Sequence, residues 1–113
     1  MTRIINACPH DLTFFLPDGT TVVLPASGIV ARAEERTAIG GILITDALGT
    51  MPLVMREYGE FTGLPPQQPG VAYVVSAIAY AASEGEDRDD LYMVADLVRD
   101  EAGRIIGARA LAI

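Results

Sequence analysis

The sequence predicts a mainly β chain of the α+β kind, a small antiparallel barrel or sandwich with one short helix. Two observations carry that expectation. Short runs rich in Ile, Val, Phe, Leu and Tyr recur along the chain, separated by turn signals such as "PDG", "PASG" and "GLPPQQPG", and strands of a few residues bounded by Gly and Pro are the mark of small β architectures. One segment alone, "SAIAYAAS", is rich enough in alanine to favour a helix.

Taken in order, residues 2–8 alternate weakly and read as a first strand. "DLTFFLPDGTTVVLP" sets two β-prone runs around Pro17-Asp18-Gly19, whose Pro and Gly supply the fixed and positive φ angles of a tight turn, so a hairpin is expected there. Over residues 29–36, Ile29, Ala31 and Ala33 alternate with Val30, Arg32 and Glu34, the pattern of a strand with one wet face. "GGILITDALG" reads either as a buried strand or as a loop, and residues 53–58 as a strand. Residues 71–75 are β-branched and read as a strand, after which Ser76 is placed to N-cap a helix over 77–83, with Gly85 ending it. "LYMVADLVRDEAGRIIGARALAI" closes the chain with two runs around Asp100-Glu101-Ala102-Gly103, a second hairpin. No internal repeat is visible.

The 113 residues, half of them hydrophobic, fit a single domain, 1–113. All eight basic residues are Arg, against fifteen Asp and Glu, for a formal net charge of -7. Nucleic-acid polymers are bound by neutralising phosphates, so such a surface argues against DNA or RNA as a partner. A small anion remains compatible, because two or three Arg gathered in a cavity hold a phosphate by bidentate hydrogen bonds whatever the overall charge. One Cys excludes an intrachain disulfide. The opening "MTRIINACPHD" has no apolar leader region, and the longest apolar run, "VAYVVSAIAYAA", is twelve residues, too short to span a bilayer. The expectation is a cytoplasmic protein with no membrane association.

The lone Cys8 and lone His10 lie two residues apart. If residues 4–10 are extended, Asn6, Cys8 and His10 share a face, but neighbours two apart on a strand stand roughly 6–7 Å apart at Cα, a poor spacing for a thiol–imidazole dyad. The favoured reading makes Cys8 a small buried hydrophobe, with Asn6 and His10 fastening the strand end. With one Cys and one His, a zinc site with several such ligands is excluded within one chain. The acidic run "EGEDRDD" lacks the spacing of a calcium loop and reads as solvated. GxGxxG, Walker A, GxSxG and HExxH patterns are all absent, so no cofactor, metal or catalytic residue is assigned.

What remains is a set of arginines beside predicted turns: Arg32 after "PASG", Arg88 before "DDLYMV" and Arg99 before "DEAG". Strand-end loops are where sites collect. The Ser27-Gly28 backbone is a candidate anion nest beside Arg32, and His10, Tyr73 and Ser76 offer neutral donors. His10, Ser27, Gly28, Arg32, Tyr73, Ser76, Arg88 and Arg99 are therefore the candidate ligand-binding residues. The competing expectation pairs each Arg with a nearby acid such as Glu34, Asp90, Asp96 or Asp100.

Read in order, "IN..PH", "P.SG..AR", "G..TGLP..QPG..Y.VS", "R.DL" and "VRDE.GRI.G.R.L" resemble a group of small proteins of actinobacteria and their phages. The likeness spans nearly the whole chain and falls on Asn6, Pro9, His10, Ser27, Gly28, Arg32, Gly63, Leu64, Pro65, Tyr73, Ser76, Arg88, Asp90 and Arg99. It brings neither a reaction nor a ligand with it. The chain departs from the pattern at Ala7 and Cys8, where the group has Leu or Met and then Thr; a Thr there suits hydrogen bonding better than thiol chemistry.

The leading expectation is a non-catalytic binding protein, with the phage origin that the resemblance implies, that keeps a small anionic or nucleotide-like ligand between strand-end loops. The alternative is a structural or interaction module that forms a homo-oligomer or binds a partner protein, since a mean hydropathy of +0.33 in so small a chain suits burial completed by a partner. A weaker alternative is a hydrolase using His10 with Asp90 or Asp11.

Overall fold

The computed structural model describes residues 1–84 and 86–113. Its strands are β1 (Arg3–Asn6), β2 (Leu12–Phe15), β3 (Thr21–Leu24), β4 (Glu35–Thr45), β5 (Gly49–Tyr58), β6 (Val71–Val74), β7 (Leu91–Arg99) and β8 (Ile105–Ala112), with one helix, α1 (Ala77–Ala82), between β6 and β7. The chain is thus mainly β with one short helix. Six strands form a sheet in the order β1-β6-β7-β8-β2-β3, and β4 and β5 form a separate two-stranded sheet.

The two expected hairpins are present. β2 and β3 pair antiparallel from Leu12↔Leu24 to Phe15↔Thr21. Their turn is tied by Asp18, whose Oδ1 accepts from the Thr20 amide at 2.9 Å and the Thr20 hydroxyl at 2.5 Å. Those bonds, the hydroxyl's first, hold the exposed Asp18 carboxyl below its ordinary pKa. β7 and β8 pair antiparallel around the 100–103 turn, where Asp100 accepts from the amides of Ala102 and Arg104.

The other pairings in the large sheet, β1 with β6, β6 with β7 and β2 with β8, are parallel, so the sheet is mixed where an antiparallel one was expected. The reason is topological: β6, α1 and β7 make a strand-helix-strand crossover, which sets its strands parallel. Ser76 caps α1 as the sequence implies, its side chain accepting from the Ala79 amide at 3.1 Å. Gly85, the expected helix stop, lies outside the described residues.

β6 is buried on both faces, as its continuous "VAYV" suggests. Val74 packs with Cys8 and Leu12, and against Phe14, Leu24 and Val94, in one cluster. Tyr73 and Val75 belong to a second, with Ala7, Ala31, Ala79 and Leu91, over which Ile5, Ile29, Phe61 and Leu64 fold. The sheet curls until its two ends adjoin. No ladder joins β1 to β3; the buried Asn6 closes the gap, its Nδ2 donating to the Leu24 and His10 carbonyls at 3.0 and 2.8 Å and its Oδ1 accepting from the Cys8 amide at 2.8 Å. The result is a nearly closed barrel. At the β2–β8 approach a Cβ on Gly107 would stand 2.5 Å from the Phe15 ring and 2.8 Å from the Thr13 carbonyl, so that pairing needs glycine.

Of residues 29–36, expected as a strand, 35 and 36 open β4, while 29–34 run as a loop held by one bridge, Arg32 to Thr62, through amide-carbonyl bonds of 2.8 and 3.0 Å. Their alternation reflects packing of Ile29 and Ala31 on the second cluster, not a ladder. From this neck β4 and β5 leave the barrel. They pair from Glu35↔Tyr58 to Thr45↔Gly49, with a bulge between Ile39 and Gly41. The strand expected over residues 53–58 is the root half of β5, and "GGILITDALG" is neither a buried strand nor a loop but the exposed far half of β4 and the arm's tip. An 11-residue strand is roughly 35 Å long. The radius of gyration is accordingly 17.7 Å, where a compact chain of this length has about 13 Å.

Candidate functional site

Of the candidate ligand-binding residues the structure brings Arg88 against Tyr73, while the three arginines lie apart. Arg88 is turned inward: its Nε and Nη2 donate to both Asp90 oxygens at 3.0 and 2.7 Å, and its Nη1 donates to the Pro65 carbonyl at 2.9 Å. The hydrogen bond to Asp90 raises the Arg88 pKa above its ordinary value, and the guanidinium sits 5.9 Å over the ring of Tyr73. Tyr73 itself is buried. Arg99 donates to the Gly103 carbonyl at 2.9 Å within the β7–β8 turn. Arg32 is exposed and lines a separate cavity with Arg36 and Thr62, whose rim also carries Glu34 and Glu60. The three arginines therefore do not converge; tight pairing with an acid two residues away, the competing expectation, describes Arg88.

The Ser27-Gly28 nest is not available to an anion through its serine. The Ser27 hydroxyl and amide both donate to the Asn6 carbonyl, at 2.7 and 3.3 Å. Ser76 is occupied as the helix cap. Asn6, Cys8 and His10 do not form the expected shared strand face, because β1 ends at Asn6 and the chain turns. Cys8 is buried, its Sγ 3.6 Å from the Val74 carbonyl, and burial pushes its thiol up in pKa, away from nucleophilic use. His10 is exposed. Of the acids named with it, Asp90 is held by Arg88, and Asp11 accepts from the Ala26 amide at 2.9 Å. In the acidic run, Glu84, Glu86, Asp87 and Asp89 are exposed as expected, while Asp90 is buried. Among the described residues no group of three His, Cys, Asp or Glu could hold a metal, and no helix is long and apolar enough to cross a membrane.

The feature that sequence reasoning missed is the β4–β5 arm. Every residue of β5 is exposed. On one face the register aligns Ile39 with Val54, Ile42 with Pro52 and Ile44 with Thr50; on the other, Ala38 with Met55 and Leu43 with Met51, beside Leu53. Nine large apolar side chains from Ile39 to Met55 are between 39% and 90% exposed. Their combined exposed area is on the order of 1,000 Å², comparable to the roughly 800 Å² per partner that a standard protein interface buries. The charges gather at the root, where Arg36 pairs with Glu34 at 2.9 Å and Arg56 with Glu35 at 3.5 Å. Residues 37–55 carry a single charge, Asp46 at the tip. That long stretch with one charge was the available signal.

The barrel carries a second apolar feature. Where the sheet ends meet, Ile4 of β1, Phe14 and Leu16 at β2, Val22 and Leu24 of β3 and Leu111 of β8 line a groove of about 380 Å³, with Arg109 at its border. Arg109 is about half exposed, its nearest acid being Asp96 at 3.8 Å. No protein-family model, curated protein or solved structure matches the chain.

Proposed function

We propose that this chain is an assembly module, a small β domain that joins copies of itself into a homo-oligomer through the β4–β5 arm. The observation that carries the reading is a two-stranded ribbon apolar on both faces and exposed on both. Isolated hairpins are marginally stable in water, and exposed apolar patches much above a few hundred Å² mark interaction surfaces. A ribbon with two bare faces gains most when it is inserted between surfaces. The anion-binding reading lacks comparable support, since Arg88 and Arg99 are engaged within the chain.

The experiment is light scattering coupled to size exclusion at micromolar concentration. The expected mass is a multiple of the 12.0 kDa chain, falling towards one chain in Ile42→Glu, a change at a residue 66% exposed that leaves the barrel's circular dichroism unaltered. A wild-type monomer at these concentrations would overturn the reading.

A further inference from the structure

We propose that the groove over the barrel seam is the seat for the tip of the arm of a second copy, with Asp46 of one chain meeting Arg109 of the other. The inference rests on the assembly reading above and goes beyond it by naming the receiving surface.

Three observations point to this pairing. The arm tip is apolar around one negative charge: Ile44 and Leu48, 79% and 67% exposed, flank Asp46, the sole charge in residues 37–55. The groove is its counterpart, apolar through Ile4, Phe14, Leu16, Val22, Leu24 and Leu111, with one positive charge, Arg109. The other cavities described each carry at least one acid. Arg88 is accompanied by Glu84, Glu86 and Asp89 in one, Arg32 and Arg36 by Glu34 and Glu60 in another, and a third carries Asp11 beside His10 and, among the described residues, no arginine. A carboxylate that leaves water with apolar neighbours needs a cation without competing acids. Among the described residues no acid lines the groove beside Arg109, and its partner outside the groove, Asp96, stands at 3.8 Å, near the limit of ion-pair distance.

The test combines a crosslink and a charge exchange. Asp46→Cys with Arg109→Cys in one chain, oxidised mildly, is expected to give a disulfide between chains, seen as multiples of 12.0 kDa on a non-reducing gel and lost when either substitution is omitted. Asp46→Arg or Arg109→Asp alone places like charges together and should weaken assembly about tenfold or more, while the two combined restore it. Both positions are exposed, so the barrel keeps its fold. An oligomeric wild type that gives neither crosslink nor charge rescue overturns this inference and leaves the assembly reading standing. A disulfide within one chain assigns the groove to the chain's own arm and likewise overturns it. A monomeric wild type overturns both.

Discussion

Arg88 and Asp90, two residues apart, form a fork-to-fork ion pair almost sealed from solvent, with side chains 13% and 3% exposed. The pair joins the start of β7 to the 61–65 loop through the Pro65 carbonyl and roofs Tyr73. Removing one member strands the other's charge. Asp90→Ala is expected to cost about 3–5 kcal/mol, whereas replacing both residues by Leu costs less because no charge is left unpaired. Urea unfolding of the two variants checks the order.

Asn6 replaces a row of backbone bonds at the seam. Asn6→Ala leaves the Leu24 and His10 carbonyls and the Cys8 amide without their partner, at ~1–3 kcal/mol for each buried group that finds no substitute. Tm is expected to fall by on the order of 10 °C. Asn6→Asp should be no better than Ala, since a carboxylate cannot donate to the two carbonyls. Thermal melts of the pair settle whether the amide's donors matter.

Gly63 and Gly19 have similar positive φ, 100° and 89°, but different surroundings. A Cβ at Gly19 meets nothing, while one at Gly63 runs into the Val30 carbonyl. Gly19→Ala should therefore cost only the conformational strain, about 1 kcal/mol. Gly63→Ala should cost clearly more, because the neck between barrel and arm must move. Denaturation midpoints of the two variants measure the difference.

The Asp18 carboxyl has its pKa lowered in the folded chain by the Thr20 hydroxyl and amide. A depressed folded-state value contributes stability above the unfolded value, about 3.9, and loses it as pH falls through the lower folded value. Wild type should thus melt above Asp18→Ala by a constant margin from pH 7 down to about 5, and the margin should close below about pH 4. A margin that persists at about pH 2 would contradict this origin.

Much of the local structure was legible. The hairpins around 17–19 and 100–103 announce themselves through Pro-Asp-Gly and Asp-Glu-Ala-Gly, and Ser76 through its place before an alanine run, because turn and cap chemistry is carried by residues adjacent in sequence. The parallel pairings were not, since β1 and β6 meet only through a closure some sixty residues long, although strand, helix and strand over 71–99 hinted at a crossover. The arm defeated the reading for a different reason. "AIGGILIT" and "PLVM" are apolar without alternation, which signals burial on both faces but not whether the covering comes from the same chain. Arg88 is a candidate in the sequence only alongside Arg32 and Arg99, and its pairing with Asp90 and the Pro65 carbonyl depends on distances that the folded loop sets.

The seam has a mechanical consequence. Since no backbone rung crosses from β1 to β3, the ends of the sheet can spread without breaking a single ladder bond, restrained mainly by the Asn6 amide and the Ser27 contacts to its carbonyl. The barrel is in effect a split ring, springy at one line and stiff elsewhere. Whatever lies across Ile4, Val22 and Leu24 sets the width of the split, so a guest in that groove would act as a rivet. Hydrogen exchange at the β1 and β3 edge amides would slow with its occupancy, while the β6 amides stayed as they were.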